Sequence, residues 1–368
     1  MNALDSWMKL LVVGLGSAYA ERRSHAQLRA MAEAVLRTQR RVELCWRQTA
    51  DQWPAYKVFD EGMVQALGGR KQGAVICAMH LGPWWLPLLH VARLGIAGTV
   101  LATPSFVEQS AAVLDARVGE LGDRLQWLPI DSRSSLRQAV SALKDGRMVA
   151  VILDSNLSWK GPATGDPGML ATEFLGMQVR LRSGAAWLAQ KAGVPMIPVG
   201  AKIKAKGKIE LRYGPEVEPA ADSGRDSRME AMEEVLAWLE AEVESAPEQW
   251  GGWLRLHTLW PPAAPPEVTA EAYQDAVDRF GRALQQPRRW RLSADPVKVA
   301  LFQQGELHLA VDGSRQALLD VGFEGAKWLQ KALANQPLPV LSAGQSQAAA
   351  ESLARLELAE LLVLEQQE

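Results

Sequence analysis

His80 stands immediately after the apolar run Gly73 to Met79 (GAVICAM), and Asp154 immediately after Met148 to Leu153 (MVAVIL). Two further runs, Gly98 to Ala102 (GTVLA) and Leu125 to Ile130 (LQWLPI), end at Thr103 and Asp131. Short continuous apolar runs of this kind read as buried parallel strands. In open α/β sheets, ligands bind beyond the carboxyl ends of the strands. Position alone therefore gathers His80, Thr103, Asp131 and Asp154. A histidine there can serve as a general base or can simply cap the core. An aspartate after a strand can belong to the site or can cap the next turn. Arg180 and Arg182 lie in QVRLRSG, read as a loop, where paired guanidinium forks could grip a phosphate group. The other reading of that pair is a solvated step before a helix. Trp84 and Trp85 suit the wall of a site, and His25, His90, His257 and His308 read as packing residues.

Elements must hold these groups in place. A fifth run, Met196 to Val199 (MIPV), and the helical patterns at Ser134 to Lys144 and Ser183 to Lys191 alternate with the strands. That order predicts an α/β fold with a mixed sheet flanked by helices. Ahead of it, residues 1–70 read as a helical N-terminal layer, with the amphipathic stretch beginning at Ser24. Behind it, Lys202 to Tyr213 reads as a hairpin around a Lys-Gly turn, and Ser227 to Ala246 as an amphipathic helix. Pro261 to Pro266 (PPAAPP) is a proline-rich linker and the expected boundary between a domain at 1–260 and a module at 267–368. In that module RLSADPVKVALF and ELHLAV resemble a hairpin, and Gln316 to Leu333 and Ala348 to Leu364 read as helices. The result is a small α+β unit, loosely similar in topology to winged-helix or PqqD-like peptide-recognition modules.

Composition excludes several roles. Forty basic and 42 acidic residues give a formal net charge of −2 without long blocks of one sign, so no electrostatic case for nucleic acid arises. Two cysteines, Cys45 and Cys77, outside any CxxC or Cys/His cluster, indicate neither a disulfide framework nor a zinc site and suit a reducing cytoplasm. No apolar run reaches the roughly 18–20 residues that cross a bilayer. The start, with MKLLVVGLGSAYA, reads as a first helix that packs or touches a membrane surface rather than as a cleaved signal. Fourteen tryptophans are an unusual number: the residue favours interfaces and wet-edged pockets, while most of them are expected in the core.

VICAMHLGPWWLPLLH resembles the first motif of the bacterial lipid A biosynthesis (lauroyl/myristoyl) acyltransferase-like family, of lysophospholipid acyltransferase-type fold. In that motif a carboxylate stands five residues after the histidine. Here His80, Gly82 and Trp84 fit the motif, and Trp85 occupies the carboxylate position. Three more segments are similar to the family in the same order: LPIDSRSSLRQAVSALKDGRMVAVILDSN, EFLGMQVRLRSGAAWLAQKAGVPMIPVGAKI and SAPEQWGGWLRLH. The resemblance covers roughly residues 5 to 260 and leaves 267–368 outside. It implies transfer of a fatty acyl group from an acyl carrier protein or coenzyme A thioester to a hydroxyl or amine, with no cofactor and no metal. His80 is then the general base. The family's usual carboxylate orients the imidazole, fixes its tautomer and stabilises the imidazolium.

Trp85 leaves two alternatives open. Another carboxylate substitutes, Asp154 ahead of Asp131 because it sits on a family motif, or the site is catalytically weakened. Trp85 would then stack on His80 or line the acyl channel with Trp84, and Arg180 and Arg182, departures from the family, point to an altered substrate. The expected function is therefore acyl transfer in lipid or specialised-metabolite biosynthesis. A non-catalytic acyl- or carrier-binding protein and a thioester hydrolase stand beside it. The expected location is cytoplasmic or peripheral on the inner face of the cytoplasmic membrane, with the C-terminal module meeting a carrier, peptide or partner protein.

Overall fold

A computed structural model describes residues 3–19, 21–46, 56–60, 62, 65, 71–108, 124–130, 133–155, 168–219, 225–260, 268–304 and 307–366. The chain divides into two compact units, residues 33–259 and residues 1–32 with 260–368.

Helix α1 (Ala3–Tyr19) belongs to the second of these, whereas the sequence reading placed it with residues up to 260. Its apolar stretch is covered: Leu11, Val13 and Leu15 are all buried. The Ser17 hydroxyl donates to the Gly313 carbonyl at 3.0 Å. The apolar residues that suggested a membrane surface are thus spent on packing within the unit. Helix α2 (His25–Trp46) follows. Beyond it β1 (Tyr56–Phe59) is an extended strand within what the sequence suggested was an all-helical layer. Its four residues pair in register with a later strand, and that long-range pairing is invisible to local periodicity.

The body of residues 33–259 is a seven-stranded sheet. It contains β1, β2 (Val75–Ala78), β3 (Gly98–Ala102), β4 (Leu125–Pro129), β5 (Met148–Ile152), β8 (Met196–Ile203) and β9 (Ile209–Tyr213) in the spatial order β1-β9-β8-β2-β5-β3-β4. Strands β8, β2, β5, β3 and β4 run parallel, and β9 returns antiparallel to β8 through the expected hairpin. The sheet is therefore mixed. Ile76, Ala150, Ile197 and Leu211 form its core with little or no exposure. Helices α3 (Leu86–Arg93), α4 (Arg133–Lys144), α5 (Gly184–Ala192) and α6 (Arg225–Glu244) flank it.

A separate two-stranded hairpin, β6 (Met169–Phe174) and β7 (Met177–Arg182), turns at Leu175 and Gly176, both with positive φ. Arg180 and Arg182 thus lie on a strand, not on the expected loop. Buried Met177, Val179 and Leu181 alternate with Gln178, Arg180 and Arg182, the period of a half-buried strand.

In the second unit α7 (Ala270–Gln285), α8 (Gly322–Leu333) and α9 (Ala343–Leu358) pack around Phe280, Leu329 and Leu353. After β10 (Trp290–Ser293), strands β11 (Val299–Gln304), β12 (Leu307–Asp312) and β13 (Ala317–Asp320) form a three-stranded antiparallel sheet. The β11/β12 hairpin is the one the sequence suggested. Three details differ from the sequence reading: 317–320 is strand rather than helix, the last helix ends at Leu358 rather than Leu364, and Arg291 to Ser293 pair with the strand at Val363–Gln366 rather than extending the hairpin. The proline-rich linker, 261–266, lies outside the described residues.

Candidate active site

The parallel pairing of β2 with β5 sets Ala78 opposite Ile152. His80 and Asp154 each lie two residues beyond that pair, so one register places both at the same edge. The ladder continues one step further, the Leu153 N–H donating to the Ala78 carbonyl at 2.8 Å. His80 Nδ1 then stands 2.8 Å from Asp154 Oδ1, and the His80 backbone N–H donates to both carboxylate oxygens at 3.1 and 3.2 Å.

Asp154 is 1% exposed. Burial pushes its carboxyl toward protonation. The charge of His80 and the hydrogen bonds from the His80 ring, the Trp250 indole and the His80 backbone outweigh that and hold it below its ordinary value. An ionised carboxylate accepts only, so Nδ1 carries a proton toward it and Nε2 is left as the basic ring atom. The second oxygen, Oδ2, accepts from Trp250 Nε1 at 2.8 Å.

The turn after His80 is shaped by Gly82, whose φ is +52° and whose notional Cβ would lie 2.3 Å from the Ala201 carbonyl oxygen. Only glycine fits there. Its N–H donates to the Gln249 carbonyl at 3.0 Å, and the His80 carbonyl accepts from the Gly251 N–H at 2.7 Å. The Gln249 amide in turn grips the backbone of Ile203 through both its oxygen and its nitrogen, at 2.7 and 2.8 Å. The PEQW segment therefore buttresses the histidine turn.

In front of His80 lies a cavity of about 730 Å³. Its apolar wall includes Leu101, Phe106, Trp127, Trp187 and Leu188. Trp84 joins it, its ring 5.1 Å from the His80 ring in an edge-on arrangement. The adjacent Trp85 does not. It is 4% exposed, packed with Val42, Leu86, Leu89 and Ile203 in an apolar cluster behind the wall and edge-on to Trp46. The ring against His80 is that of Trp84, because neighbouring residues at a helix start point in different directions. Of the two tryptophans expected to line the site, only Trp84 lies on the cavity wall.

Of the two candidate arginines, Arg182 lines the cavity and Arg180 is absent from its described lining. Sequence reasoning missed Arg228, on α6, and Arg255, both on the wall. No aspartate or glutamate lines the cavity among the described residues, so its charge is basic. Thr103 lines it too, while its hydroxyl caps the short helix at Pro104–Phe106 by accepting from the Phe106 N–H at 3.2 Å. Asp131 lies outside the described residues. His90 is buried away from the cavity, with Nδ1 3.3 Å from the Tyr56 hydroxyl, and His257 is buried with its pKa pushed down to about 4 by burial and by Arg255. Trp250 was also missed. Its residue type carries no catalytic signal, although it lies within the SAPEQWGGWLRLH segment.

The comparison that decides the family is the match of residues 23–260 to the model for bacterial lipid A biosynthesis acyltransferases, which covers more than half of the chain. The chain belongs to this family. The matched span nearly coincides with the compact unit at 33–259, and α1 and residues beyond 260 lie outside it. A solved structure, the 1-acyl-sn-glycerophosphate acyltransferase PlsC from Thermotoga maritima, aligns over 67% of this chain and 100% of its own length at 16% identity with a TM-score of 0.32. Among curated proteins none matches. Membership makes this a lipid-biosynthesis acyltransferase-type chain in which the histidine of the first motif is paired with a carboxylate from a different strand.

Proposed function

We propose that the protein transfers a fatty acyl group from an acyl carrier protein or coenzyme A thioester to a hydroxyl or amine acceptor, in lipid or specialised-metabolite biosynthesis. The observation that carries this reading is the 2.8 Å contact between His80 Nδ1 and the buried Asp154 carboxylate at the head of an apolar cavity of about 730 Å³. That volume is typical of a small-molecule site.

Asp154 holds the Nδ1–H, so Nε2 takes the acceptor's proton as its oxygen or nitrogen bonds to the thioester carbonyl carbon. The tetrahedral intermediate collapses with breakage of the C–S bond, and the imidazolium returns the proton to the departing sulfur. The apolar wall receives the acyl chain. Arg182, Arg228 and Arg255 attract the phosphate-bearing arm of the donor or an anionic acceptor. The C-terminal unit serves partner recognition, and the reaction runs in the cytoplasm or at the inner face of the cytoplasmic membrane. No described helix is long and apolar enough to cross a membrane.

Purified protein is incubated with acyl-coenzyme A or acyl carrier thioesters and a panel of hydroxyl and amine acceptors, with thiol release and acylated product both followed. Transfer abolished by His80→Ala supports the proposal. Undiminished transfer by that variant removes the base. Tight thioester binding without turnover favours a binding protein, and free fatty acid in the absence of acceptor favours a hydrolase.

A further inference from the structure

We propose that Trp250 is the third member of the catalytic assembly, a positioning residue whose indole N–H fixes the Asp154 carboxylate so that it serves His80. This rests on the His80–Asp154 reading above.

The geometry is specific. Trp250 Nε1 donates to Asp154 Oδ2 at 2.8 Å, on the oxygen other than the one facing His80 Nδ1. Trp250 is 0% exposed and wedged between Phe174 and Trp253, with ring centroids at 5.3 and 4.8 Å, so its indole has a fixed direction. Its backbone bridges to Leu81, the residue after the histidine, and the next residue, Gly251, donates to the His80 carbonyl. One short segment thus holds both partners, the histidine through its main chain and the aspartate through a side chain. A carboxylate donated by another strand needs such a restraint more than one on the same turn as its histidine, because two independent strand ends must agree to a fraction of an ångström.

The hydrogen bond also bears on charge. It is among the interactions that hold Asp154 below its ordinary value despite burial. Without it the carboxylate binds a proton more tightly and pairs more strongly with imidazolium, so the dyad titrates at higher pH. Trp250 does not line the cavity, so substrate binding should not depend on it.

The test is the full pH–rate profile of Trp250→Phe in the intact chain, using acyl-coenzyme A and an acceptor that the wild-type protein acylates. The expected result is a fall in kcat of about ten- to a hundredfold, the range for a lost hydrogen bond to a charged group. KM should stay within about twofold, and the acid limb of kcat/KM should move to higher pH. In an Asp154→Asn background Trp250→Phe should add little further loss, because the two residues act as one unit. An isosteric benzothienylalanine at the same position, which keeps the ring and lacks the N–H, should reproduce the kcat loss if the phenylalanine variant folds poorly. A uniform loss at every pH, or a loss fully additive with Asp154→Asn, would make Trp250 a packing residue only and overturn the inference. Activity dependent on His80 but untouched by Trp250→Phe would sink this inference alone. Activity surviving His80→Ala would sink the dyad beneath it.

Discussion

Asp154→Asn separates the carboxylate's chemistry from its shape. The carboxylate accepts from three donors: the His80 ring N–H, the His80 backbone N–H and the Trp250 indole N–H. An amide of the same shape has one oxygen and one NH₂. With the oxygen toward His80, the NH₂ meets the indole N–H donor to donor across a gap that is now 2.8 Å. With the amide reversed, its NH₂ faces the ring nitrogen, which must become the acceptor, and the proton moves to Nε2. The first arrangement costs about 1–3 kcal/mol for an unmade buried hydrogen bond. The second destroys the base. Loss of the tautomer-fixing carboxylate lowers kcat by roughly 10³- to 10⁴-fold where a histidine base depends on it, and a melting-temperature drop on the order of 5 °C should accompany it. Thiol release at saturating acceptor, with a thermal melt as control, gives both numbers.

A second readout has a fixed sign. Because Asp154 titrates below its ordinary value, its stabilisation is complete above that value and drains away as pH falls through the lower, folded one. The wild-type protein should therefore lose a stability component below about pH 4 that the asparagine variant lacks. A folded Asp154→Asn protein with kcat within threefold of wild type would refute the role assigned to this carboxylate.

His257 acts on the same acid limb, at higher pH. Its pKa, pushed down from 6.5 to about 4, leaves it neutral when folded while the unfolded chain takes up a proton, so stability should fall between pH 6.5 and 4 by up to about 3 kcal/mol. In urea titrations, His257→Gln should flatten that slope; an unchanged slope would assign it to other groups. Gly82→Ala places a methyl 2.3 Å from the Ala201 carbonyl oxygen at a φ of +52°, and should cost about 2–4 kcal/mol with a matching loss of activity. A melting temperature within 2 °C of wild type, on the order of 1 kcal/mol or less, would show that the turn can relax. Ala102→Phe, on the cavity wall, should shift acyl preference toward shorter chains in competition assays, whereas an unchanged preference would place the acyl chain elsewhere.

The strand runs were legible because a strand buried on both faces reads as a near-continuous apolar run, and the chain carries five such runs, four of them followed by a polar residue. From that pattern follow the α/β class, the positions of His80 and Asp154 past β2 and β5, and the motif order that marks the family. Local pattern also carried the hairpins at 202–213 and 299–312, whose contacts are close in sequence. It failed for β1, which exists as a strand only by pairing with β9 some 150 residues away, and for Trp85, whose direction depends on which layer packs behind it.

What the sequence by itself determined was the inventory: a histidine, a carboxylate, a closing PEQW segment and a missing motif acid. Tertiary structure alone decided which carboxylate meets the histidine, because only the register of β2 against β5 sets the two strand ends level. It also decided that a tryptophan remote in sequence completes the group and that Trp84, not its neighbour, faces the ring. The physical reason is one of scale. Burial patterns are written residue by residue along the chain, whereas a hydrogen-bonded site needs three segments to converge within about 3 Å.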